Sequence, residues 1–535
     1  MKRDQENVVE EDIEQGRGRG IEFRGTKRIR RDPNNRTFST DTQDVTTDIE
    51  TETEEEKEKV ILKELEDAVA KIKAARPVGG RRHLNAVHGL RHILSTYEEP
   101  PCSLAVQAGA IPVLIEALQP PQMDSLALET TFQASWALTN VAVGSSDVVE
   151  AILPAAPILI AYINEGEHGW VMAEQSAWAL GNMAGEDLEY RRILIANGAV
   201  KPLVRLFTKS CMRNFKKVST SVDTDALAAG ETAAWALSIL FKGQGQEVEA
   251  FLEMQGAVSA ALTVLECNDF DAAEGEQMST FQGIVQQVSW LLARVTGSVA
   301  GLMTEDVRRE VLDAAAMRLR IVFDMMSPVE DDVSVLIPIL RIISNLAKFG
   351  GNEVVEYFSV DPGNDLIDII FQCGSADKKY GLEKQVGETL KYIARLGQQP
   401  ALFILRAPTG MSLLKKYLKE EPFHVKKEAA AVLDEIITQE IERMSDPSEL
   451  LNHVFVGDEE SIKAMLSLLQ ATDIQSVILG IRFVDRMIQF IPQGKNVMKH
   501  AGAIRLLEEH ALTRKDDINP EHYTTVQKLI HILIE

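Results

Sequence analysis

From Val60 to the end of the chain, apolar residues recur three and four positions apart, in stretches broken by short Gly, Pro and Asp turns. That spacing places them on one face of a helix with 3.6 residues per turn. No stretch alternates apolar and polar positions as a half-buried strand does, so the pattern predicts helix after helix. Residues 1 to 60 hold few apolar residues and no helical period, and predict a disordered tail ahead of a helical body over 61–535.

The helices repeat. AGAIPVLIEAL at Ala108 returns as NGAVKPLVRLF at Asn197, QGAVSAALTVL at Gln255 and AGAIRLLEEH at Ala501. SWALTN, ending at Asn140, returns as AWALGN ending at Asn182, AWALSI around Trp235 and SWLLAR around Trp290. Trp136 and Trp178 stand 42 residues apart, and the equivalent positions continue at longer steps through Arg341, Glu388 and Ala431. A period near 40 to 47 residues is that of armadillo or HEAT units, each a set of short helices that cannot bury its apolar face alone. The Gly of each Gly-Ala-Ile/Val phrase is placed to end one short helix and turn the chain sharply into the next. The predicted fold is all-α: a right-handed armadillo-repeat superhelical solenoid of about ten repeats, with one long core and an extended inner surface.

On a helix, residues four apart share a face. Trp136 with Asn140, and Trp178 with Asn182, therefore set an indole beside an amide, twice, at the repeat period. A helical Trp is more often core than binding site. A core Trp, however, has no reason to keep a polar Asn on its own face in successive repeats. Indole faces form slots for the stems and charges of Lys or Arg, at about 0.5–2 kcal/mol each. The amides offer a donor and an acceptor to an extended peptide backbone. The ladder thus predicts a peptide-binding groove for basic ligands.

Charge agrees with that chemistry. The 535 residues carry 56 Lys and Arg against 80 Asp and Glu, a net charge of −24. Such a field repels nucleic acid and anionic membranes and attracts basic partners. In the tail the charge is segregated: seven bases and one acid, Glu22, lie between Gln15 and Arg31, and nine acids and one lysine between Asp41 and Glu58. Four widely spaced cysteines without a Cys-x-x-Cys pair fit a reducing compartment. No run of 18 apolar residues suggests a membrane span, and no apolar stretch behind Lys2 and Arg3 suggests a secretory signal. No phosphate-cradling loop, nucleophile elbow or His-Glu-x-x-His helix occurs. His88 and His92 have ligand spacing but no third ligand nearby, and an amphipathic helix surface explains both. The short GRGRG of the tail is outweighed by the acidic body as a nucleic-acid signal. No enzyme, cofactor or metal is expected.

With these phrases in view the chain resembles the importin-α family of nuclear import adaptors. HLNAVHGLRHILSTYEEPPCSLAVQAGAIPVLIEAL resembles the family's first repeat, including Pro100 and Pro101. FQASWALTNVAVGSSD and AEQSAWALGNMAGEDLEYRRILIANGAVKPL resemble its second and third. IPILRIISNLAKFGG resembles the sixth, KKEAAAVLDEII the eighth, and AGAIRLLEEH with VQKLIHILIE the last. The resemblance implies that Trp136, Asn140, Gln175, Trp178, Asn182 and Trp235 form a major signal-binding site. It implies that Glu186, with Asp187 beside it, receives the key lysine of the signal, and that the Gly144 carbonyl meets the same lysine. It implies a second groove at Arg341 and Asn345, importin-β as carrier on a tail segment including Arg24, Lys27, Arg28, Arg30 and Arg31, a nuclear export factor for recycling, and shuttling between cytoplasm and nucleus.

The departures from the family are specific. Ile239 stands where a third Asn belongs, and Arg294 follows Trp290 in place of a small or aromatic polar residue. In the second groove Glu388 and Tyr392 replace one Trp/Asn pair, and Ala431 and Glu435 another. IEFRGTKRIRRDPNNRTF resembles only the second half of the family's carrier-binding segment, which also acts as an autoinhibitor. A plug of Lys27–Arg31 into the chain's own groove is one expectation. A scaffold unrelated to nuclear import, binding another partner on the same inner surface, is the alternative.

Overall fold

The glycine of each repeated phrase sits where the backbone turns left-handed. Gly109, Gly198, Gly256 and Gly502 have φ of 76°, 84°, 81° and 83°. A side chain at such φ meets the backbone, so Gly is the residue that ends one helix there at no steric cost. The computed structural model describes residues 21–24, 27–30, 54–165, 169–215, 222–243, 246–254, 256–267, 276–325, 330–375, 382–419, 422–444, 446–514 and 517–535.

Each left-handed turn joins the first two helices of a three-helix repeat. Cys102–Gln107 and Ala110–Ala117 lead into a long third helix, and Ser146–Ile152 with Ala156–Glu165 lead into another. The stretch Ser146–Ile163 has a mean hydropathy of 1.6. It is broken by a 3-10 turn at Leu153–Ala155 and forms the first two helices of one repeat, which accounts for its apolar character. The described chain divides into two compact units, Met1–Leu302 with Glu330–Val335, and Met303–Val329 with Leu336–Glu535.

The long helices that carry the ladder positions are labelled here. In the first unit they are α1 (Arg81–Thr96), α2 (Ser125–Val141), α3 (Gly169–Glu186), α4 (Thr224–Leu240) and α5 (Glu276–Val299), each packed on the next. Further along come α6 (Glu330–Phe349), α7 (Leu382–Arg395), α8 (Phe423–Met444) and α9 (Ile474–Phe490). Asp124 caps α2 and Asp223 caps α4, each carboxylate accepting the N–H of the third residue on. Leu138, Leu180 and Leu237 lie two residues after their Trp, about 200° round the helix, and are fully buried. Each contributes about 1.5–3 kcal/mol by burial. The same helix therefore sets its Leu on the side opposite its Trp and the residue one turn on, and the Trp and Asn side chains are buried as well.

Within the segment read as tail, Ile21–Arg24 (β1) and Lys27–Arg30 (β2) form a short antiparallel hairpin, with Ile21 opposite Arg30. Glu54–Ala74 is already helical and packs against α1.

Candidate peptide-binding groove

The hairpin brings β2 against α2 and α3, the two helices with an intact Trp/Asn pair. The centre of the site is Asn182 on α3. Its Oδ1 accepts from the Arg28 backbone N–H at 2.8 Å, and its Nδ2 donates to the Arg28 carbonyl at 2.8 Å. Nδ2 also donates to the Thr139 carbonyl of α2 at 2.9 Å. One acceptor role and two donor roles fix which end of the amide is which. The same Arg28 carbonyl accepts from Trp178 Nε1 at 3.1 Å. An extended strand would lose water from these groups unpaired; here both are satisfied.

The side chain of Arg28 is 2% exposed. Its guanidinium carbon lies 4.4 Å from the centre of the Trp235 ring, and Nη1 lies 3.6 Å from Glu231 Oε1. Trp235 lies flat against α3 because position 181 is Gly, where a Cβ would fall 2.2 Å from the ring. Glu231 lies close over Gly283 of α5 in the same way, a Cβ there falling 2.9 Å from its carboxylate. Two glycines thus make room for the ring and the acid that hold one cation.

The other positions expected in the site fall into two groups. Gln175, fully buried, donates to Thr139 Oγ1 at 2.6 Å and so braces the helix that supplies Asn182's second contact. Asn140, also fully buried, donates to Ser95 Oγ of α1 at 3.1 Å. Trp136 carries the Arg91 guanidinium on its ring at 4.4 Å and meets the edge of Phe132. Arg91 is held there by Gln133 Oε1 at 2.8 Å, and its Nη2 lies 2.8 Å from His88 Nε2. The ring nitrogen accepts from a guanidinium, which occupies the lone pair a metal would need. Among the described residues no three His, Cys, Asp or Glu side chains cluster as metal ligands.

At the C-terminal end of α3, Glu186 accepts from Ser146 Oγ at 2.9 Å and is part-exposed. Asp187 is instead the N-cap of Leu188–Ala196, its Oδ1 taking the N–H groups of Glu189 and Tyr190. Gly144 follows α2, and a Cβ there would fall 2.8 Å from Cys102 and Val148. Of the tail bases, Arg31 and the side chains of Arg24, Lys27 and Arg30 lie outside the described residues.

Glu231, Arg91, Gly181 and Gly283 were not singled out from sequence. Glu231 stands one turn before Trp235 on α4, a relation the phrase GETAAW displays.

The second expected groove has a different chemistry. Arg341 on α6 approaches Gln385 Oε1 at 3.4 Å. The Tyr392 ring of α7 has Lys348, Lys391 and Arg395 at 5.6, 4.7 and 5.6 Å. Three acids of this face are paired from within: Glu428 with Lys391 at 2.7 Å, Glu435 with Arg395, and Asp434 with both Arg482 and Arg486.

A row of repeated three-helix units makes this an armadillo-repeat protein. The crystal structure of an engineered protein covers 88% of the chain and 99% of its own, with a TM-score of 0.64 at 19% identity, and shows the same fold. By sequence, importin subunit alpha-9 of Arabidopsis thaliana is 27% identical over 449 residues, 82% of this chain and 78% of that protein. Importin subunit alpha-2 of Oryza sativa subsp. japonica is 28% identical over 453 residues, with the same two coverages. No protein-family model matches the chain. The chain is a divergent relative of the importin-α subunits.

Proposed function

We propose that this protein is a nuclear import adaptor that binds basic nuclear-localisation signals across α2 to α4 and links the cargo to importin-β through its tail. One observation supports this reading most. The chain's own basic strand lies in the groove, with Asn182 and Trp178 on its backbone and Trp235 and Glu231 on its guanidinium. Backbone hydrogen bonds, an indole face and a carboxylate that hold Arg28 by main chain and charge suit any extended basic peptide. A cargo peptide and the tail then compete for one site, and removal of the tail by its carrier frees the groove. In this reading Trp136, Asn140, Gly144, Gln175 and Glu186 extend the site, a nuclear export factor recycles the adaptor, and the protein shuttles between cytoplasm and nucleus.

The test is a binding titration of the full chain with a single-cluster basic signal peptide and with the same peptide carrying Thr in place of its central lysine. Saturable binding of the first and a loss of at least tenfold with the second is the expected result. Equal binding of both peptides, or of neither, would overturn the proposal.

A further inference from the structure

Trp136 and Trp235 each carry a guanidinium in the same way. The Arg91 Cζ lies 4.4 Å from the centre of the Trp136 ring, and the Arg28 Cζ lies 4.4 Å from the centre of the Trp235 ring. Each arginine is 2% exposed. Each also approaches an oxygen about one helical turn before its ring. Arg91 Nε donates to Gln133 Oε1 at 2.8 Å, and Arg28 Nη1 lies 3.6 Å from Glu231 Oε1. An indole with an acceptor oxygen one turn before it is thus a guanidinium seat, built on α2 and again on α4. The seat on α2 is filled from within the solenoid, by α1. The seat on α4 is filled by the tail strand, which a ligand displaces.

Lysine suits such a seat less well. A guanidinium is planar and weakly hydrated, so it can lie flat on the indole while its edge faces the acceptor. An ammonium is a compact, strongly hydrated point charge, and burial strips that hydration. Reach also differs. From a backbone bracketed by Asn182, the lysine nitrogen is as many bonds from Cα as the arginine Cζ. It can cover the ring, but it stops one bond short of the Nη1 that faces Glu231. At 3.6 Å the Glu231 contact is one of charge, longer than a hydrogen bond, so it weakens as the cation's charge draws back.

We propose that Glu231 is a specificity-determining residue that makes the seat on α4 select arginine over lysine. The preferred ligand is then a basic segment with arginine at the position bracketed by Asn182. This rests on the groove reading given above. The field of the whole chain, at −24, draws lysine and arginine alike. A preference between the two is therefore a local signature that the global charge does not produce. Gly283 of α5 fixes the place of the acid, because a Cβ there would fall 2.9 Å from its carboxylate.

The experiment uses the full chain carrying Arg28→Ala, which weakens the competing tail, and two labelled peptides with the sequence of residues 21–36. One keeps arginine at position 28 and the other has lysine there. What remains of the tail competes equally with both, so the ratio of their affinities is unaffected by it. In fluorescence anisotropy the arginine peptide is expected to bind at least fivefold tighter. Glu231→Gln, of the same shape without the charge, should bring the ratio below twofold. Gly283→Ala should also narrow it, by pushing the flexible carboxylate aside while leaving it charged. If the lysine peptide binds as tightly as the arginine peptide, or if the ratio survives both substitutions, the role of Glu231 is wrong and the groove stands. If neither peptide binds, the groove reading fails and this inference fails with it.

Discussion

Asn182 brackets Arg28: its amide accepts from the Arg28 N–H and donates to the Arg28 carbonyl, both at 2.8 Å. A single side chain thereby satisfies both polar groups of one residue of an extended strand and fixes its register against α3. Because Trp178 Nε1 joins at the same carbonyl, the ring and the amide of one helix turn act together on the main chain. The Arg28 side chain is then read by α4, through Trp235 and Glu231.

Replacing that side chain tests the competition between tail and ligand. Arg28→Ala removes a cation–π contact and an ion pair from the tethered strand but leaves the groove intact. The apparent affinity for a basic peptide should rise about tenfold, equivalent to about 1.4 kcal/mol. A tethered segment competes at an effective concentration on the order of millimolar, so even a modest weakening is visible. An unchanged or lower affinity in calorimetry would contradict the competition.

The ladder itself is best tested in the Arg28→Ala background. In the unaltered chain, damage to Trp178 or Asn182 would weaken tail and ligand alike and hide its own effect. With the tail contact already weakened, Trp178→Ala plus Asn182→Ala should cost about 2–4 kcal/mol of peptide binding, an anchoring ring and three backbone hydrogen bonds being lost together. Circular dichroism should show the helical content preserved. A binding loss below about 0.5 kcal/mol would remove these residues from the site.

A third prediction concerns stability. Asp458 caps Glu459–Ser467 through Ser461 N–H and meets Lys419 Nζ at 2.9 Å. Burial alone would raise its pKa, yet the hydrogen bonds from Lys419 and Ser461 outweigh it and hold the carboxyl at about 2. A carboxyl depressed in the folded state adds stability that is full above its unfolded value, near 3.9, and is lost as pH falls toward 2. Asp458→Ala should therefore destabilise by about 0.5–2 kcal/mol at neutral pH, as a lost N-cap does, and by progressively less between pH 4 and pH 2. Urea unfolding curves at several pH values would show it. A cost that stays constant down to pH 2 would mean that the charge plays no part.

The features that were legible in the sequence are those a single local rule dictates. Gly109, Gly198, Gly256 and Gly502 could be placed because the left-handed turn admits Gly where other residues strain. The pairing of Trp178 with Asn182 follows from helix geometry alone. Glu231 and Arg91 were missed because each acts on a residue of another element: Glu231 on Arg28, Arg91 on Trp136. Arg91 reads as an ordinary base on an amphipathic helix, and its burial to 2% exposure depends on a ring in the following repeat. Nor could sequence choose Arg28 among five tail bases, since that register is set by the spacing between Asn182 and the Trp235–Glu231 pair. Asp187 was the opposite case. Its position just before Leu188 is that of a capping residue, and capping is what occupies it.

The final prediction concerns the face of α7 to α9. Its Trp/Asn pairs are replaced by Glu388 and Tyr392 and by Ala431 and Glu435, which removes the indole slots and the amides that fix a peptide backbone. The remaining aromatic, Tyr392, already has Lys348, Lys391 and Arg395 around it. Glu428, Glu435 and Asp434 are each paired with a base of the same chain. At Glu428, Glu435 or Asp434 an incoming lysine would have to break one pair to form another, a like-for-like exchange that gains little and sets no register. At part-exposed Glu388 an ion pair adds only about 0–1 kcal/mol. A peptide with two basic clusters gains avidity only where a second surface takes the second cluster. Here a two-cluster peptide should bind less than about threefold tighter than the same peptide with its upstream cluster changed to alanine. A gain of tenfold or more, abolished by Arg341→Ala with Asn345→Ala, would show that this face still grips a basic cluster through the two residues that keep the ladder pattern.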